Sequence, residues 1–112
     1  MSQISWQYFE KVDIRLGSVI EAEPFPETRN PSIKLAADFG PEVGVKKTSA
    51  QLTEYYSPET LLGRQVVAVA NVTSEAHRGL KSEALVLGVP DEEGAVVLLV
   101  PDHEVPPGGR IY

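Results

Sequence analysis

The chain has 112 residues, enough for one domain with an adequate but not large core. Hydrophobic residues make up 42% and charged residues 23%, a balance that excludes a disordered chain. The formal charge of −6 argues against indiscriminate binding to polyanions, and the absence of cysteine removes disulfides, thiol catalysis and thiolate metal sites.

The start, MSQISWQYFEKVD, has no apolar stretch of the kind a signal peptide needs, so none is expected. The longest apolar runs, Val66 to Ala70 and Ala95 to Val100, fall far short of the roughly 20 residues that span a bilayer. Ser5 to Lys11 reads as a short helix capped by Ser5, with Trp6 and Phe9 on one face. Val12, Ile14 and Leu16 alternate with polar residues, which predicts a strand. The alternation slips after Gly17, and a glycine there suggests a bulge or barrel corner. Pro24, Pro26 and Pro31 bracket a loop.

Ile33, Leu35, Ala37 and Phe39 form the clearest half-buried strand. A turn over Gly40 to Gly44 leads to its antiparallel partner, Val45 to Ser49. Within Thr53 to Leu62, Ser57 followed by Pro58 marks a capped helical turn. Of Tyr55 and Tyr56, one should pack and the other stay exposed. Gln65 to Val72, Ala84 to Val89 and Ala95 to Val100 are continuously apolar and predict strands covered on both faces. A small barrel covers only one face, so the other calls for a helix or a second subunit. This predicts a homodimer, with Trp6 and Phe9 at its interface. The order of elements matches an all-β fold with short helices: a five-stranded Greek-key barrel of the oligonucleotide/oligosaccharide-binding (OB) type, with an N-terminal helix and a C-terminal β extension. One such domain is expected over residues 1–112.

Little enzymatic chemistry is visible. His77 and His103 lack partners at metal-ligand spacing and read as solvated loop residues. Ser82 and Glu83 near His77 supply a nucleophile and a base without a nucleophile-elbow pattern. No P-loop or dinucleotide fingerprint occurs. The expectation is a protein without catalytic residues, metal or cofactor. Basic charge concentrates between Val43 and Lys81, where Lys46, Lys47, Arg64, Arg78 and Lys81 face only Glu54, Glu59 and Glu75, a net of +2 against −8 elsewhere. The candidate nucleic-acid- or peptide-binding residues are Lys46, Lys47, Ser49, Asn71, Arg78, Lys81 and Ser82. Of these, Lys46, Arg78, Lys81 and Ser82 are expected to converge at the barrel mouth. Glu83 is expected to pair with Arg15 or Arg78.

Val12-Asp13-Ile14-Arg15-Leu16-Gly17, Asn71 with Arg78-Gly79-Leu80-Lys81-Ser82-Glu83, and Val105-Pro106-Pro107-Gly108 resemble the tRNA-binding barrel domain family. Pro31 to Leu35, Gly44 to Thr53, Lys81 to Pro90 and Val97 to Leu99 resemble its stand-alone CsaA-like chaperones most. The resemblance implies a cytoplasmic homodimer with export-related chaperone activity. Its implied partners are unfolded preproteins and the translocase motor SecA, with tRNA recognition by shape as the alternative. Relatives that bind tRNA commonly carry lysines before the Arg-Gly matched by Arg78-Gly79. Here that stretch, Val72 to His77, has none and carries Glu75.

Overall fold

The computed structural model describes residues 2–25, 31–72 and 82–112. Five strands make one antiparallel sheet: β1 (Ile14–Phe25), β2 (Ser32–Asp38), β3 (Val45–Ala50), β4 (Gln65–Val69) and β5 (Leu85–Val86). They lie in the order β3-β2-β1-β4-β5. The sheet curls until β3 reaches the start of β5. There the Glu83 backbone N–H donates to Lys47 O at 2.8 Å, and the Thr48 hydroxyl donates to Ala84 O at 2.8 Å. The result is a nearly closed OB-type barrel, as the alternation and turn spacing predict.

The inward rows explain why the barrel closes tightly. Ile33, Leu35 and Ala37 from β2 meet Val19, Val66 and Ala68 inside, with Phe39, Leu52, Leu61, Ala84 and Leu98 completing the core. Leu61 reaches that core from α3 (Pro58–Leu61), where Ser57 and Thr60 cap reciprocally and Pro58 opens the first turn. Full burial of one such large apolar side chain stabilises the fold by about 1.5–3 kcal/mol.

Gly17 plays a different part from the expected bulge. A Cβ on it would lie 2.6 Å from the Phe39 ring, so the glycine lets the ring pack closely against the strand. The bulge falls at Ile20, where the pairing of β1 with β2 skips from Val19 to Glu21. The strand runs on through Pro24 to Phe25, so the expected loop starts later, and Pro26 lies outside the described residues. The Gly40–Gly44 turn winds into a single helical turn, α2 (Gly40–Val43), closed by Gly44 N–H to Gly40 O at 2.7 Å.

The apolar run Ala84 to Val89 is not one strand. The Leu87 N–H still donates to Val67 O of β4 at 2.8 Å; beyond it the chain leaves the barrel, and β6 (Gly88–Pro90) pairs with β7 (Val96–Leu98) as a separate hairpin. Gly88 permits that close pairing, since a Cβ there would lie 2.8 Å from Val97 O. Within the single chain, the outward side chains Leu85, Val89 and Val97 are exposed rather than covered.

The tail returns to β1. Arg110 bridges Arg15, and Leu16 N–H donates to Gly109 O at 2.9 Å. This is the expected C-terminal extension. At its turn, Gly108 has φ +104°, and a Cβ there would lie 2.8 Å from Phe39 O. The N-terminal helix, α1 (Trp6–Glu10), packs no residue into the core. Ser5 stands at its N-cap, but its side chain makes no capping bond. Among the described residues no helix is long and apolar enough to cross a membrane.

Candidate functional site

Pleating decides which charges share a surface. Along β3, side chains alternate sides, so Lys46 and Lys47 part company. Lys46 belongs to the inward row Val19, Ala37, Lys46, at the barrel's end and half-buried. Lys47 faces outward with Ser49. Register across β1, β2 and β3 gives two outward rows: Glu23, Lys34, Ser49 and Glu21, Ala36, Lys47. Glu21, Glu23, Lys34, Leu35, Ala36 and Lys47 line a shallow concavity of about 170 Å³ on this face. Lys34 Nζ lies 3.8 Å from Glu23 Oε1 and 4.7 Å from the centroid of the Phe25 ring. Lys34, Glu21 and Glu23 do not stand out in the sequence as site residues. The hairpin register would have brought them to Lys47 and Ser49 had the bulge been placed at Ile20.

Ser82 is half-buried at the end of the segment that leads into β5. Its neighbour Glu83 docks on β3: the Lys47 backbone N–H donates to Glu83 Oε1 at 2.9 Å, and the Glu83 N–H returns a bond to Lys47 O. Glu83 therefore holds strand β3 to β5 and does not pair with Arg15. Arg15 pairs instead with Asp13 (2.7 Å) and Glu42 (2.9 Å) and donates to Gly108 O at 3.0 Å. Those carboxylates, Asp13 first, hold the guanidinium above its ordinary pKa. Arg78, Lys81 and His77 lie outside the described residues, as does most of the lysine-free stretch before them. Of the four residues expected to converge at the mouth, only Lys46 and Ser82 are among the described residues.

Asn71 uses its amide structurally. Its Oδ1 accepts from Asp13 N–H at 2.9 Å and its Nδ2 donates to Lys11 O at 2.7 Å. These bonds tie the end of β4 to the link between α1 and β1.

A second surface is apolar. Trp6 and Phe9 stack edge to face at 5.9 Å, and Trp6 is 73% exposed. With Glu10, Arg110, Ile111 and Tyr112 they line a groove of about 400 Å³ between α1 and the tail. Arg110 secures that groove by donating to Glu10 O at 2.6 Å. Elsewhere, Tyr56 packs on the core and its hydroxyl accepts from Leu98 N–H at 3.0 Å. Tyr55 is exposed and donates to Asp91, which holds the Tyr55 pKa up and the Asp91 pKa down. His103 is exposed beside Asp102. Among the described residues no group of three or more histidine or acidic side chains is placed to hold a metal.

The tRNA binding domain family matches residues 14–110, nearly the whole chain. The chain belongs to this family. Its barrel, with the tail returned to β1, is therefore a tRNA-binding-type barrel. A solved structure of the chaperone CsaA from Bacillus anthracis str. Ames is 47% identical, with a TM-score of 0.90, covering 99% of this chain and 100% of that one. The CsaA chaperone protein from Picrophilus torridus is 37% identical, with a TM-score of 0.89, covering 98% and 100%. The methionine–tRNA ligase of Methanocaldococcus jannaschii is 35% identical over 111 residues, covering 99% of this chain. The chain spans only 17% of that enzyme's length.

Proposed function

We propose that this tRNA-binding-type barrel is a non-catalytic chaperone of the CsaA kind. It acts in the cytoplasm as a homodimer and holds extended segments of unfolded preproteins before export, with SecA as a partner. The observation that carries the reading is the likeness to CsaA over the full length of both chains. The exposed apolar groove of Trp6, Phe9, Ile111 and Tyr112 and the uncovered Val89 and Val97 support association with a second copy. An obligate interface of that kind buries roughly 2,000 Å² or more. We assign ligand binding to the outward Lys47 and Ser49 of the β1–β2–β3 face and to the barrel mouth, where Lys46, Ser82, Arg78 and Lys81 are expected. Asn71 contributes by anchoring the end of β4 to the α1–β1 link and not by touching ligand. Extended peptides bind through sheet edges and apolar grooves and need no net positive field.

The second reading is recognition of tRNA structure without catalysis. It is favoured by the family match and by the lysines on β3. Paired titrations decide between them: tRNA and an unfolded preprotein, each at two salt concentrations, with aggregation of a denatured client followed in parallel. A chaperone slows aggregation without nucleotide and binds the client with little salt dependence. A tRNA-binding module binds tRNA with a steep salt slope and leaves aggregation unchanged at several-fold molar excess.

A further inference from the structure

We infer that Glu21 and Glu23 are specificity determinants that turn the β1–β2–β3 face away from polyphosphate ligands and toward extended peptide. The inference rests on the assignment of this face as the ligand face. The outward rows Glu23, Lys34, Ser49 and Glu21, Ala36, Lys47 interleave two cations with two carboxylates. The four charges sum to zero within one concavity. Glu23 stands directly across from Lys34 with its carboxylate 3.8 Å from the ammonium, while the Phe25 ring holds that ammonium from below. A phosphate reaching Lys34 competes with Glu23 for the ammonium and meets its charge at close range.

Lys47 lies two strands from Glu21, roughly 10 Å away at ordinary strand spacing. That is about one Debye length at 0.1 M salt, so a phosphate at Lys47 also meets the Glu21 field. Lys46 brings no relief, because it belongs to the inward row. Counterion release requires a cation that neutralises phosphate. Lys34, already answered by Glu23, contributes little of it, and Lys47 contributes less than it would without Glu21 in its field. A peptide backbone carries no net charge and suffers no such repulsion, and its side chains of either sign find a partner in the rows. The carboxylates are not part of the fold's support: Glu21 is exposed and the Glu23 side chain is 68% exposed.

The test compares the native chain with E21Q/E23Q and with E92Q/E93Q, which removes the same net charge from the exposed turn between β6 and β7. Binding of bulk tRNA is followed by fluorescence anisotropy from 50 to 200 mM salt. Binding of a reduced, unfolded preprotein is followed beside it, and thermal unfolding checks the fold. One added counterion-releasing contact steepens the log–log salt slope by about 0.9 and tightens binding roughly tenfold at 50 mM. E21Q/E23Q should therefore bind tRNA at least tenfold tighter with a steeper slope, and adding K34A/K47A should abolish the gain. Equal tightening in E92Q/E93Q, or an unchanged slope in E21Q/E23Q, overturns the inference. A native chain that binds the preprotein while E21Q/E23Q gains nothing over the control leaves the chaperone reading standing without this inference. A native chain that ignores the preprotein while E21Q/E23Q gains tRNA binding through Lys34 and Lys47 supports the inference and overturns the chaperone reading.

Discussion

The β1–β2–β3 face and the groove between α1 and the tail present opposite chemistry on one small barrel. The first stands directly on the core: Ile33, Leu35 and Ala37 are buried beneath it, and its outward charges cancel in pairs. The second stands on hydrogen bonds rather than packing. No residue of α1 is buried, and the groove is held by Arg110 to Glu10 and by Asn71 to Lys11 and Asp13. A surface backed by a packed core keeps its geometry without a partner. An apolar surface backed only by polar clamps leaves area that a partner would cover. In the function proposed above, the first surface contacts ligand and the second associates with another copy.

The sharpest way to break this contrast is to remove the aromatic pair. Trp6→Ala with Phe9→Ala should cost the dimer at least about 2 kcal/mol of association, the scale of an interface anchor. Light scattering at micromolar concentration should then show the 12.2 kDa monomer, while the native chain shows twice that mass. A native mass of one chain would refute the homodimer outright. Gly17→Ala tests the other surface's foundation. The added Cβ lands 2.6 Å from the Phe39 ring, and overpacking of this kind costs about 1–3 kcal/mol in a urea titration. Dimer affinity, extrapolated to native conditions, should change far less.

Asn71→Ala removes two side-chain bonds to backbone at the root of α1. At about 0.5–1.5 kcal/mol each, the loss should appear as faster hydrogen exchange at Asp13, with barrel amides such as Val66 protected as before. The smallest effect concerns pH. Asp91 has its pKa lowered by Tyr55 first, so the clamp between the β3–α3 link and the β6–β7 turn is intact above the ordinary carboxylate range near 3.9 and is lost as pH falls through the lower folded value. Tyr55 has its pKa raised, so the same clamp holds below about 10 and is lost as pH rises through the higher folded value. Tyr55→Phe should flatten the acid limb of the stability profile and remove one step above the ordinary tyrosine value from the tyrosine absorbance titration.

Much of the barrel is legible in the sequence. The alternation of Ile33, Leu35 and Ala37 named the inward face of β2, because a strand half-covered by a core must repeat every two residues. Ser57 and Pro58 named the start of α3, since capping is local chemistry. The division between one packing and one exposed tyrosine at positions 55 and 56 also held.

Tertiary structure alone decided the rest. Gly17 marks a ring's approach rather than a bulge, because Phe39 arrives from 22 positions away. The break after Leu87 comes although β4 runs on opposite it, and depends on where β7 can pair, which no local pattern encodes. Whether Glu83 meets Arg15 or the Lys47 backbone depends on how far the sheet curls. The balanced face emerges only when a one-residue bulge at Ile20 brings Glu21 and Glu23 into rows with Lys47 and Lys34. Sequence determines which residues share a side of one strand, because that period is local. Which strands lie side by side, and so which charges meet, is set by register and closure, and those are properties of the folded chain as a whole.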